Sequence, residues 1–164
     1  MSDKHPAAAE SSAGRSAGDS LPVPTLFSDG SLRLPAQLPR LEEVTAAQGF
    51  AMASDHATGA LLRTLAAAKP GGRLLELGTG NGYLTALLCH QAAEVVSVDP
   101  DAALLDAVRA NLRRLGLTRC DLVQGDPARG CPSKAPFDVI VLTGSLHEVP
   151  AALLAQLRPQ GRLL

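Results

Sequence analysis

From residue 54 onward the apolar positions follow two alternating spacings. Steps of three and four put Ala57, Leu61, Leu65 and Ala68 on one helical face, with Ser54 or Asp55 as cap and Pro70-Gly71-Gly72 as stop. A short apolar run at 73–77 predicts a strand, and helical spacing returns over 83–91 with Leu84, Leu87 and Leu88 inward. The β-branched "EVVSVD" (94–99) predicts a second strand. Pro100 suits the first position of a helix carrying Leu104, Leu105, Val108, Leu112 and Leu115, which Gly116 stops. "CDLVQG" (120–125) and "FDVIVLT" (137–143) read as strands three and four, and a short helix spans 150–157. Pro159-Gln160-Gly161 turns into "RLL", the start of a fifth strand.

Strands alternating with helices imply an α/β fold: a Rossmann-like, doubly wound, mostly parallel sheet with helices on both faces. The strands are near-continuous apolar runs, as expected where both sheet faces are covered. Residues 1–20, rich in Ala, Ser, Gly and charge, are expected to be a disordered tail. Residues 21–53 are Pro-rich and weakly periodic, and predict loops with short strands. Residues 54–164 form the expected domain.

Composition removes several function classes. A formal charge of −1 offers no electrostatic case for nucleic acid or an anionic membrane, and 2% aromatics give few stacking platforms. The three cysteines (Cys89, Cys120, Cys131) show no CxxC and no zinc spacing. They read as reduced thiols of a cytoplasmic protein, with Cys89 and Cys120 in the core and no metal site. The first residues lack the apolar stretch of a signal peptide, and no run approaches the length of a membrane span.

The chemistry concentrates in "RLLELGTGNGY" (73–83). Glycines recur at 78, 80 and 82, with Thr79 and Asn81 between them and Glu76 two residues ahead. A dinucleotide loop reads GxGxxG, but its third glycine position is Tyr83 here. A carboxylate at the end of the first strand repels a pyrophosphate and suits a cation. S-adenosylmethionine carries a sulfonium and an ammonium, and so fits this loop. Asp99 ends the second strand 21 residues after Gly78, where it can accept both ribose hydroxyls or cap the next helix. Gly125 and Asp126 follow strand three; Asp126 can meet an adenine amino group or serve as a turn cap. Thr143, Ser145 and His147 lie after strand four, at the edge where reactants are expected.

At these residues the chain resembles the class I S-adenosylmethionine-dependent methyltransferases and, more narrowly, the protein-L-isoaspartate O-methyltransferase family. The matching text is "LLELGTGNGYLTALL", "EVVSVDPD", "NLRRLGL", "VQGD", "APFDVIVLTG" and "VPAALLAQLRPQGRLL", with Asn81 where the family usually has serine. The resemblance implies that a carboxylate of an isoaspartyl residue attacks the cofactor's methyl group, and that the ester then collapses to a succinimide, allowing backbone repair. A carboxylate is already ionised at neutral pH, so this reaction needs no general base. It also implies isoaspartyl peptides or proteins as partners and S-adenosyl-L-methionine as cofactor, bound by Glu76, Gly78, Thr79, Gly80, Asn81, Gly82, Asp99, Gly125, Asp126 and Thr143. No catalytic residue is identified; Ser54, Thr143 and Ser145 are the candidates. The chain departs from the family in three places. Met52 and Ser54 stand where an I-S-A-P segment is expected, residues 1–50 do not match its N-terminal region, and the family continues beyond "GRLL" with further strands. The alternatives are a methyltransferase acting on a small molecule or RNA, and a non-catalytic cofactor-binding module.

Overall fold

The computed structural model describes residues 38–47 and 56–164. Its helices are α1 (Leu38–Ala47), α2 (His56–Ala66), α3 (Tyr83–Cys89), α4 (Ala102–Arg114) and α5 (Ala151–Leu154). Its strands are β1 (Arg73–Leu77), β2 (Glu94–Asp99), β3 (Cys120–Gln124), β4 (Phe137–Leu142) and β5 (Leu157–Leu163). All strand pairs are parallel, in the order β3-β2-β1-β4-β5. The chain runs outward from β1 to β3, then crosses back to β4, so the order reverses between β1 and β4. Crevices for ligands form at such a reversal, outside the carboxyl ends of the strands.

Alternation along each strand feeds two apolar layers. Leu74, Val95, Val139 and Val141 face one layer with Leu84, Leu87, Leu88, Val108 and Leu112 of α3 and α4. Leu75, Leu77, Val96, Val98 and Ile140 face the other, with Phe137 and Leu153 of α5. Burial on both faces explains why β1, β2 and β4 are largely apolar, and it makes Glu76, in the middle strand, conspicuous.

Several elements differ from expectation. A helix, α1, occupies part of the segment read as loops and short strands. Its sequence LPRLEEVTAA spaces Leu38, Leu41 and Val44 by three, and Pro39 fits a first helical turn; the surrounding prolines obscured this short run. The helix after β2 starts later than Pro100. Asp101 caps it, its side chain accepting from the amides of Ala103 and Leu104. Both α3 and α5 end earlier than expected, at Cys89 and Leu154. Pro159-Gln160-Gly161 lies inside β5 and does not precede it as a turn. The pairing runs from Phe137↔Leu157 to Val139↔Arg162, so extra residues bulge out there, and Gln160 takes a φ of 61°. The bulge places Pro159 where no ladder hydrogen bond is needed. Ser54 and Asp55, the expected caps of α2, lie outside the described residues, as do residues 1–37.

Candidate cofactor site

The glycine loop leaves β1 and must turn within a few residues to start α3. Gly78, Gly80 and Gly82 take φ values of 99°, 51° and 81°, the left-handed region that side chains disfavour. Space adds to the requirement. A Cβ on Gly78 would stand 2.4 Å from Thr143 Oγ1, and one on Gly82 would stand 2.5 Å from Val108 Cγ1. Asn81 Oδ1 accepts from the Tyr83 amide at 3.1 Å, steadying the entry into α3.

Asp99 joins this loop to the next. Its Oδ2 accepts from the Gly80 amide at 3.0 Å and its Oδ1 from the Asp101 amide at 3.0 Å. Asp101 is the cap of α4, so Asp99 does not cap that helix. Thr143 closes the other side: its hydroxyl donates to the carbonyls of Leu77 (2.9 Å) and Gly78 (3.0 Å). Asp126 caps the short 3-10 turn Pro127–Arg129, accepting from the Ala128 amide at 2.9 Å, and it also reaches the cavity.

Glu76 is wholly buried. Its Oε2 accepts from Ser97 Oγ at 2.6 Å and from Thr85 Oγ1. Ser97 Oγ lies 2.6 Å from Thr79 Oγ1. With the serine hydrogen directed to Glu76, the threonine is the donor of that second bond. Oε1 has no partner. Burial pushes the Glu76 carboxyl up to about 7, against the pull of the Ser97 and Thr85 hydroxyls; the charge on Asp99 adds to the rise.

Together these elements wall a cavity of about 530 Å³ at the carboxyl edge of the sheet. It is lined by Glu76, Gly78, Thr79, Gly80 and Asn81 on one side, by Asp99 and Asp126 on another, and by Thr143 and Ser145 on a third. Gly82 and Gly125 are not in the lining; the first makes room for α4, and the second donates its amide to the Asp99 carbonyl at 3.1 Å. His147 is exposed and outside the lining. Ser54 and Met52 fall outside the described residues. Sequence reading missed the apolar wall (Pro100, Leu104, Leu142, Leu146) and the hydroxyls of Thr85 and Ser97. Ser97 carried a signal: it is a lone hydroxyl in an otherwise apolar stretch and pairs in register with Glu76.

A five-stranded parallel sheet of this order, with an acid and alternate glycines after the first strand, defines the Rossmann-like methyltransferase class. Residues 40–164 match the family described as Protein-L-isoaspartate(D-aspartate) O-methyltransferase (PCMT), and the chain belongs to that family. It is 47% identical over 92 residues to the protein-L-isoaspartate O-methyltransferase of Methanoculleus marisnigri, covering 56% of this chain and 42% of that protein. It is 46% identical over 93 residues to that of Chromobacterium violaceum, covering 57% of this chain and 42% of that protein. The chain therefore spans less than half the length of these curated relatives. Among solved structures, a protein-L-isoaspartate O-methyltransferase superposes with a TM-score of 0.63 at 32% identity, covering 68% of this chain and 36% of that one. An O-methyltransferase from Bacillus cereus, solved with SAH, superposes with a TM-score of 0.68 at 26% identity, covering 80% and 66%.

Proposed function

We propose that this protein binds S-adenosylmethionine and transfers its methyl group to the carboxylate of isoaspartyl residues in peptides or proteins, as a cytoplasmic repair enzyme. The observation that carries the reading is the glycine cradle at the switch point, fastened on one side by Asp99 and on the other by Thr143. Its residues fit the cofactor. The carbonyl-rich edge and the buried acid suit cationic groups, and Asp99 at a strand end suits vicinal ribose hydroxyls. The apolar wall of Pro100, Leu104 and Leu142 suits an adenine ring. Thr79, Gly80 and Asn81 would hold the amino-acid end, and Asp126 with the Ala128 backbone the base.

When bound, the cofactor supplies an already activated methyl group. A carboxylate oxygen forms the new O–C bond, the C–S bond breaks, and the electron pair stays on sulfur. The acceptor carboxylate has no proton to give up, so the protein has to align the reactants and exclude water. Ser145 and Thr143, which line the open edge, would meet the acceptor.

The test is calorimetric titration with S-adenosylhomocysteine, together with methyl transfer to an isoaspartyl peptide. Binding with turnover is expected. Binding without turnover on that peptide would assign another acceptor, a small molecule or an RNA, or a module that only binds. No binding by the folded chain would remove the cofactor assignment altogether.

A further inference from the structure

The carboxyl of Glu76 is satisfied on one side only. Among the described residues Oε2 takes two hydroxyl donors, Oε1 takes none, and the side chain is wholly buried. A full negative charge with one unsolvated oxygen is costly in such a place. A proton removes that cost. So does a cation brought close by a ligand.

The same carboxyl is connected to the site by a chain of hydroxyls. Glu76 on β1 accepts from Ser97 on β2, and Ser97 accepts from Thr79 in the glycine loop. Thr79 lines the cavity. The chain both fixes the loop and gives the buried acid a hydrogen-bonded route to the ligand space.

We propose that Glu76 is a positioning residue that senses the charge of the adenosyl ligand, giving up its proton when the sulfonium is bound and retaking one when the thioether remains. The inference rests on the cofactor reading above. Binding of the sulfonium ionises Glu76, and the proton leaves to solvent. Methyl transfer removes the positive charge from sulfur, and the carboxylate takes a proton back. Cofactor is then favoured over product by an electrostatic difference that the product cannot reproduce.

The surroundings allow this. From β2, Glu76 faces Ser97 and the Asp99 carboxylate, whose charge favours the protonated acid. From β3, Cys120 faces it; contact with Cys89 and burial push that thiol far up, so it stays neutral. From α3 comes the Thr85 hydroxyl, while β4 and α4 contribute Val139, Val141 and Val108 to the same layer. Among the described residues Asp99 is the charge that acts on Glu76, and Glu76 itself is held up at about 7, so its proton is exchangeable near neutral pH.

The decisive experiment counts protons in the full chain. Titrations with S-adenosylmethionine and with S-adenosylhomocysteine are run at pH 6.5 in two buffers of different ionisation enthalpy. At that pH both ligands' amino groups are protonated. The sulfonium ligand is expected to release about half a proton or more beyond the thioether. Its relative affinity should rise as pH climbs from 6 to 7.5, by up to about tenfold for each unit by which the cation lowers the acid's pKa. Glu76→Gln should erase the difference between the ligands, with thioether binding to the same variant measured as the reference. Ser97→Ala removes a donor to the ionised form, so the pH at which the difference disappears should move upward. Equal proton counts for the two ligands in the unaltered chain, or a difference that survives Glu76→Gln, would overturn the proposal while leaving the cofactor assignment intact. Failure of both ligands to bind would overturn both.

Discussion

Asp99 holds backbone amides from two loops, one oxygen for each. The two bonds orient the carboxylate, and on the proposed reading a ribose would meet fixed acceptors. Asp99→Ala should weaken S-adenosylhomocysteine binding by about 1–3 kcal/mol, because two amides and the ligand hydroxyls lose their partner together. An unchanged dissociation constant would reduce Asp99 to a loop fastener. Gly78 answers to a different constraint. Gly78→Ala must accommodate a φ of 99° and a Cβ 2.4 Å from Thr143 Oγ1. The expected cost is about 1–3 kcal/mol of stability, read from the denaturant midpoint. Pairing it with Thr143→Ala should recover only the steric part, since the backbone conformation is untouched.

At the level of elements, the meeting of α3 and α4 is set by one missing side chain. Gly82, the cap of α3, lies under Val108 of α4. Gly82→Ala should push the helices apart and lower the thermal midpoint, at a cost of about 1–3 kcal/mol. Val108→Ala in that background should return part of the loss if the clash is the cause. Elements of this kind were legible in the sequence where one physical signal was strong. β1, β2 and the glycine loop were readable because apolar runs ended in an acid or in glycine. Gly116 stopped α4 as its spacing implied, with a φ of 72°. The cap of α4 was not readable, since Asp99, Pro100 and Asp101 each suit a helix start, and only tertiary bonds to Gly80 decide among them. β5 was misread because a Pro-Gln-Gly string normally makes a turn; pairing with β4 overrides it. The Thr85–Glu76–Ser97 cluster was hidden because its members are far apart in sequence and polar groups in a sheet interior have no periodic signature.

For the molecule as a whole, two titrations act on stability with opposite sign. Asp138 is pushed up by burial, but the Arg73 amide and the Arg158 guanidinium outweigh this and bring its carboxyl below the usual 3.8. A depressed acid stabilises the fold above its unfolded pKa, and that contribution is lost as pH falls below about 4. Glu76 works the other way. Its folded carboxyl binds a proton up to about 7, whereas the unfolded one releases it near 4.5. Between those values the folded state holds more protons, so stability declines as pH rises, by about 3 kcal/mol in total. Ligand-free Glu76→Gln should lack this decline, and its stability relative to the unaltered chain should grow from pH 4.5 to 7. Parallel curves for the two proteins would show that the acid does not titrate in that window. Among the described residues no helix is long and apolar enough to cross a membrane.

The ladder of the sheet continues past the strand ends: Gly78 donates to Val98, Thr143 to Leu77 and Gly125 to Asp99. Three loops at the carboxyl edge of the sheet are thereby stitched edge to edge. Amide protons in such stitches exchange with deuterium only when neighbouring loops open together. A ligand gripped at the glycine loop would slow exchange at Thr143 as well as at Gly125 on the far side. The three loops would report a single event to a mass spectrometer, and occupancy at one loop would be legible at the other two.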